Sequence, residues 1–241
     1  MKPHRPVPAL LALLALAGCA AADRAEVEPP GDPGALVLRV TELPGMLPPG
    51  GGAAVPPRFS LLADGRLIGP AGPAGAWPEL VEHRVAPRDV TRLLRVAAGL
   101  PNQTESQVPD APVLRVVTVS TGGRREVTVA RTDPSAERLR AALAAHAEGT
   151  GVPYRPSAVA VIAVPDDPTA PAPPWPLPAL TGAPLTGTGA GASCAVLRGG
   201  ELETVRRAWT GPTVGRWRGG DAVWQVRIRP LLPDETDCAD L

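Results

Sequence analysis

Val113-Leu114-Arg115-Val116-Val117-Thr118-Val119, then Gly122-Gly123, then Glu126-Val127-Thr128-Val129, then Asp133-Pro134 is the run that decides the fold. The β-branched residues on either side of the glycine pair read as two strands and a tight turn. Asp133 then supplies an N-cap, with Pro134 at the first helical position. Leu139, Ala142, Leu143 and His146 recur at helical spacing and mark an inner face. A hairpin therefore feeds a helix.

The stretch upstream repeats the plan. Leu36-Val37-Leu38-Arg39-Val40 reads as a strand, and residues 44–57 as a Pro/Gly loop. Phe59-Ser60-Leu61-Leu62 and Arg66-Leu67-Ile68 flank Ala63-Asp64-Gly65, where Asp-Gly predicts a type I′ hairpin turn. Residues 69–78 form a second Pro/Gly loop. Leu80-Val81-Glu82-His83-Arg84-Val85 follows as a strand. Pro87 opens a helix to about Ala98, with Val90, Leu93, Leu94 and Ala97 on one face and Gly99 at its stop.

Downstream, Ala158-Val159-Ala160-Val161-Ile162-Ala163-Val164 is apolar on both faces, as a central strand beneath a helix layer would be. Residues 165–178 are rich in proline, and residues 186–193 in Gly, Thr and Ala, so 165–193 reads as a linker. Cys194-Ala195-Val196-Leu197 is a strand and residues 201–207 a short helix. A last hairpin enters through Trp217 and turns at Gly219-Gly220-Asp221. On its return Trp224, Val226 and Ile228 alternate with Gln225, Arg227 and Arg229. The order of elements predicts an α+β fold with a largely antiparallel sheet, two to three helices and a C-terminal hairpin segment stapled by a disulfide.

Across 241 residues the 24 basic and 24 acidic side chains balance. Nucleic-acid binding normally needs a basic excess, so it is excluded as an expectation. Thirty-two prolines and 26 glycines approach the ~25–30 % of low-complexity chains, while 44% hydrophobic residues keep a core possible. Lys2 is the only lysine, and genomic base composition is the simplest reason for arginine in place of lysine.

The first residues carry the most specific signal. Lys2, His4 and Arg5 precede an uncharged run over 7–18. As a helix that run would span about 18 Å, against a bilayer core of about 30 Å. It reads as an export signal and is too short for a permanent anchor. The run ends in Leu16-Ala17-Gly18-Cys19, which resembles the lipobox of bacterial lipoproteins; the plainer alternative is an ordinary signal peptide with an incidental cysteine. The resemblance implies cleavage before Cys19, a diacylglyceryl thioether on its sulfur and an acylated amine such as palmitate. Cleavage removes Lys2, and with it Schiff-base, P-loop and Ser-x-x-Lys chemistry. The expected organisation is a signal peptide over 1–18, lipidated Cys19 and a flexible tether over 19–35, an α+β domain over 36–164, a linker over 165–193 and the stapled segment over 194–241.

Phe59-Ser60-Leu61-Leu62-Ala63-Asp64-Gly65-Arg66, Trp175-Pro176-Leu177 and Arg229-Pro230-Leu231-Leu232-Pro233-Asp234-Glu235 with Cys238 resemble a group of actinobacterial secreted lipoproteins over most of 36–241. That resemblance implies an extracytoplasmic location and the terminal cysteine pair, and it transfers no catalytic residue.

Beyond Cys19, Cys194 and Cys238 are the only cysteines of the exported chain. They read as a disulfide; a catalytic thiol is the alternative and would need His83 or His146 as its base. Gly191-Ala192-Ser193-Cys194-Ala195 lacks the last glycine of a nucleophile elbow. Gly187-Thr188-Gly189-Ala190-Gly191 lacks the strand–helix context of a nucleotide loop. Two histidines so far apart make no His-x-x-x-His metal helix. Asp166-Asp167 and Asp234, Glu235, Asp237, Asp240 lack a calcium-loop register and read as solvated acids. Asn102-Gln103-Thr104 marks an exposed loop. Trp209, Trp217 and Trp224 read as core, with sugar stacking or an interface as the alternative.

The expectation is a lipid-anchored extracytoplasmic protein with a non-enzymatic binding or envelope role. It carries no metal or cofactor and meets the membrane through Cys19. An envelope protein or glycan is met on the polar face of Gln225, Arg227 and Arg229. The alternative is a membrane-anchored hydrolase acting on cell wall or exported peptides.

Overall fold

The computed structural model describes residues 27–48, 50–72, 77–102, 110–185, 191–212 and 214–241. The signal segment, Cys19, most of the sequon and Gly187-Thr188-Gly189-Ala190 lie outside them. The chain is α+β with two antiparallel sheets, as the residue pattern predicts. The strands are β1 Leu36–Leu43, β2 Phe59–Leu62, β3 Arg66–Pro70, β4 Leu80–Arg84, β5 Val113–Ser120, β6 Gly123–Ala130, β7 Val152–Tyr154, β8 Ala158–Pro165, β9 Ala183–Pro184, β10 Ser193–Arg198, β11 Val214–Gly219 and β12 Ala222–Pro230. The helices are α1 Pro87–Ala98, α2 Pro134–His146 and α3 Gly199–Ala208.

The first sheet runs β6-β5-β1-β2-β3-β4-β7 and the second β11-β12-β8-β10-β9. Asp133 caps α2 as expected, its carboxylate accepting from the backbone N–H groups of Ser135 (2.8 Å) and Ala136 (3.2 Å). Val90, Leu93, Leu94 and Ala97 of α1 and Leu139 and Leu143 of α2 are buried on one face of the first sheet, against Leu38, Val40, Leu61, Leu114 and Val127.

The Asp-Gly turn differs from the type I′ expectation. Among the described residues only Asp110 and glycines have positive φ, so Asp64 does not adopt the left-handed region. Gly65 does, at φ +84°, closing a three-residue loop after a bond from its N–H to the Leu62 carbonyl (3.0 Å). The 44–57 loop contains a 3-10 turn, Gly51–Ala54.

The second sheet departs most from expectation. β8 pairs with β12 on one side and with β10 on the other, so the division between sheets falls before β8, not after residue 164. The described part of 165–193 is no free linker. Trp175 and Leu180 are buried; the Trp175 N–H donates to the Arg218 carbonyl of β11, and the Arg218 N–H donates to the Pro173 carbonyl. The tether is also shorter than expected. Thr121 N–H donates to the Glu28 carbonyl and Asp64 N–H to the Pro33 carbonyl, so the chain is docked from Val27 onward.

Val159, Val161 and Ala163 of β8 face Leu202 and Val205 of α3 and a tryptophan cluster. Trp209 and Trp217 are buried and stack at 5.5 Å, while Trp175 meets Trp217 edge-on at 5.3 Å. Trp224 packs against the same cluster, cross-strand from Trp217. Trp209 and Trp217 are core as expected, while Trp224 is half-buried at the edge of the cluster. The alternate residues of β8, Ala158, Ala160 and Ile162, pack against Ala53, Ala54, Cys194 and Leu231.

Candidate functional site

Two polar constructions stand out, one sealed and one open. The sealed one lies between the two sheets. Arg39 on β1 and Ser60 on β2 are cross-strand partners, both buried on the face of the first sheet away from the helices. The chain after β12 crosses that face, placing Leu232 among Leu36, Leu62, Ile68 and Leu80. Glu235 then accepts from Arg229 Nη2 at 2.6 Å and from the Leu232 N–H at 2.9 Å, and lies 3.0 Å from Arg39 Nη1. Asp234 accepts from Arg39 Nη2 at 2.8 Å, and Arg229 Nη1 donates to the Ala53 carbonyl at 3.0 Å.

This overturns part of the expected binding face. Arg229 is 2% exposed and paired with Glu235, so it cannot meet a partner. Gln225 and Arg227 are half-buried. The physical reason is the neighbouring strand. Arg227 and Arg229 pair with Ile162 and Ala160 of β8, whose face is covered by Ala53, Ala54 and Leu231, so an interior lies where solvent was expected. Burial pushes the Arg229 guanidinium down to about 10, against the attraction of Glu235. Its Nε atom has no hydrogen-bond partner among the described residues.

The other acids of the sequence reading are also placed. Asp166 pairs with Arg216 at 2.7 Å, and that hydrogen bond lowers its pKa. Asp237 and Asp240 form a reciprocal cap on the terminal 3-10 turn, and backbone hydrogen bonds lower the Asp240 pKa. Among the described residues no three His, Cys, Asp or Glu side chains gather as a metal site. Cys194 and Cys238 form a disulfide, so neither is a free thiol.

The lone tyrosine reports on the sealed region. Tyr154 on β7 packs beside Leu80 and Leu232 and donates its hydroxyl hydrogen to the Leu231 carbonyl at 3.2 Å. Burial raises its pKa to about 12; Arg66 opposes this, while Glu235, Glu82 and Asp234 add to it. Between about pH 10 and 12 the unfolded chain loses the phenol proton and the folded chain keeps it, so this group's contribution to stability falls as pH rises through that window. Arg229 acts with the opposite sign over its own range, so an optical readout is needed to isolate Tyr154. Phenolate absorbance is expected to rise near pH 12 in the folded protein and near pH 10 in denaturant. Coincident titrations would contradict the buried hydroxyl.

The open construction is a cleft of about 720 Å³ that sequence reasoning did not anticipate. Its floor is the helix-side face of the first sheet where α1 and α2 no longer cover it. There Leu67 pairs with His83 and Gly69 with Val81, and Phe59 borders Gly69. Ala144 of α2, Ala147 after it, Gly149 and Gly151 complete the lining with the 70–72 segment. Gly151 is required by close approach, since a Cβ there would come within 2.8 Å of His83 Cε1 and 2.9 Å of the Glu82 carbonyl. Arg58 sets its guanidinium 5.5 Å from the Phe59 ring centroid. Glu82, on the opposite face of β4 by strand alternation, is turned to Arg66 and Arg84. Among the described residues the cleft's titratable lining is Arg58 and His83. Of the two histidines considered as a base, His83 faces the cleft and His146 ends α2 outside its lining.

No family model, curated protein or solved structure matches this chain. Among the described residues no helix is long and apolar enough to cross a membrane.

Proposed function

We propose that this protein is a lipid-anchored extracytoplasmic binding protein that meets its ligand in the cleft beside His83. The cleft carries this reading. Its volume lies in the roughly 300–1,000 Å³ range of small-molecule sites, and its lining mixes apolar and polar surface, with Arg58 and His83 among the polar groups. The polar groups present favour recognition: a guanidinium and an imidazole, with the two folded-domain cysteines consumed in a disulfide. The hydrolase alternative would need a serine nucleophile brought to His83. The anchor rests on Leu16-Ala17-Gly18-Cys19 and the basic, apolar segment before it. The disulfide supports an oxidising compartment. Val27 is packed against the core, so the eight residues from Cys19 to it could span at most about 29 Å fully extended. The folded part would then stay close to the lipid headgroups.

Cys19→Ser tests the anchor. One acyl chain binds membranes marginally and two bind stably, so loss of the acceptor sulfur should release the protein from the membrane fraction or leave an uncleaved precursor. Palmitate labelling should disappear with it. Unchanged processing and labelling in the variant would sink the reading.

A further inference from the structure

We infer that two copies of this chain pair edge to edge through β6, antiparallel about a two-fold axis at Val127. The two sheets end in four edge strands, β6 and β7 in the first and β11 and β9 in the second. An unpaired edge is a template for a further strand, and natural sheets blunt their edges by shortness, proline or cover. β7 is three residues long with Pro153 at its middle, and β9 is two residues ending in Pro184. The outer side of β11 is covered where Arg218 bonds to Pro173 and Trp175. β6 is eight residues long, holds no proline and, among the described residues, pairs with β5 alone. The Arg131 N–H continues that ladder by donating to the Pro112 carbonyl, so odd-numbered residues turn their backbone groups to β5. Arg124, Glu126 and Thr128 turn theirs outward, and among the described residues those groups have no partner.

The residues of β6 select a second copy as the occupant. The charges of the strand are confined to Arg124, Arg125 and Glu126, and residues 127–130 carry none. Reversing the strand on itself about Val127 sets every charge against an uncharged residue. Arg124 then faces the partner's Ala130, Arg125 the partner's Val129 and Glu126 the partner's Thr128. The outward backbone groups of Glu126 and Thr128 meet as hydrogen-bonded pairs, and the Thr128 hydroxyl can donate to the partner's Glu126 carboxylate. Neighbouring two-fold registers are worse. Centred on Glu126 the strands oppose two carboxylates, and centred on Arg125 two guanidiniums. Centred on Thr128 they leave Arg124 beyond the pairing. Charged side chains commonly guard an edge against pairing. Here they fix the register instead. Arg124 and Glu126 form an ion pair at 3.6 Å on the sheet face opposite buried Val127 and Val129, clear of the outward backbone. Arg125 is drawn to the end of α1, donating to the Ala98 and Leu100 carbonyls at 3.1 and 2.7 Å. The contact is isologous, so one pairing consumes both β6 edges and closes the assembly at two copies.

Sedimentation of the full chain in detergent solution, over a range of protein concentration, is expected to show a reversible monomer–dimer equilibrium. Thr128→Pro removes an outward N–H and leaves the β5 ladder intact, as proline on an edge strand does. It should weaken dimerisation at least tenfold at an unchanged melting temperature. A second measurement reads the register and does not depend on that variant folding. Glu126→Cys and Thr128→Cys chains, mixed under oxidising conditions, should cross-link to each other at least fivefold faster than either cross-links to itself. If Thr128→Pro lowers the melting temperature, the cross-link alone decides. A chain that stays monomeric throughout the range overturns the proposal. A dimer that a folded Thr128→Pro variant leaves intact also overturns it, because that dimer uses another face. Cross-linking in the mixture no faster than in the separate variants overturns the register centred on Val127.

Discussion

Glu235→Ala is expected to lower the unfolding free energy by about 3–5 kcal/mol, the range found when one member of a buried ion pair is removed. The Glu235 side chain is 0% exposed and is bound by the Arg229 guanidinium and the Leu232 N–H, with Arg39 at ion-pair distance. Its loss leaves Arg229 buried with a single carbonyl partner, Ala53. It also leaves a backbone donor unsatisfied, which adds about 1–3 kcal/mol where water cannot reach. Asp234→Ala is the control. Asp234 is 18% exposed and Arg39 would keep Glu235, so a loss of about 1 kcal/mol is expected. Urea midpoints of the two variants, measured against the parent at constant slope, give the comparison. Equal and small losses would show that the network is not a buried charge cluster.

The same network explains why a charge-reversal test of the C-terminal hairpin would mislead. Arg229→Glu would place a second carboxylate against Glu235 in the interior, so loss of binding would only report unfolding. Gln225 and Arg227 are half-buried, and burial lowers the Arg227 pKa, so little of the expected polar face remains for a partner.

What the sequence disclosed and what it hid follow from the range of each signal. Helix starts are local. Asp133-Pro134 and Pro87 needed only their neighbours to be read, and both helices begin there. The hydrophobic alternation of β12 was also legible, because Val226 and Ile228 meet the tryptophan core. The error lay in treating the opposite face as solvent. β8 is apolar on both faces and therefore covered on both, and a strand hydrogen-bonded beside it shares that cover. Arg227 and Arg229 could have been read as interior from their register with Ile162 and Ala160, but pairing between strands some 60 residues apart is not visible in a single sequence. The proline-rich stretch misled for a related reason. Proline removes backbone donors, so 165–185 forms almost no ladder, yet Trp175 and Leu180 bury their side chains all the same. The cleft was hidden because it arises where α1 and α2 stop short of β3 and β4, a matter of helix placement. Arg58 and His83 lie 25 positions apart and carry no motif.

Removing the disulfide should have an effect of similar size to Glu235→Ala and for a connected reason. Cys194 and Cys238 close a separation of 44 residues, for which the chain-entropy relation gives about 4 kcal/mol of stabilisation. The folded contacts say where the loss should appear. Cys194 lies on β10 opposite Ile162, and Cys238 lies in the terminal 3-10 turn. The bond therefore fastens the chain end that carries Asp234 and Glu235 to β10, the strand beside the central β8 of the second sheet. Arg198 adds a hydrogen bond to the Thr236 carbonyl beside it. Cys194→Ala with Cys238→Ala should thus raise hydrogen exchange first over 231–241, while α1 and the strands of the first sheet stay protected. Because the staple and the ion network hold the same segment, their losses should not add. Once the segment is free, Glu235 spends less time on Arg229, and removing it costs less. Combining Glu235→Ala with the cysteine pair should destabilise by at least 1 kcal/mol less than the sum of the separate effects. Strict additivity in urea unfolding, or exchange that rises evenly across both sheets, would mean that the disulfide does not act by holding the acidic tail in place.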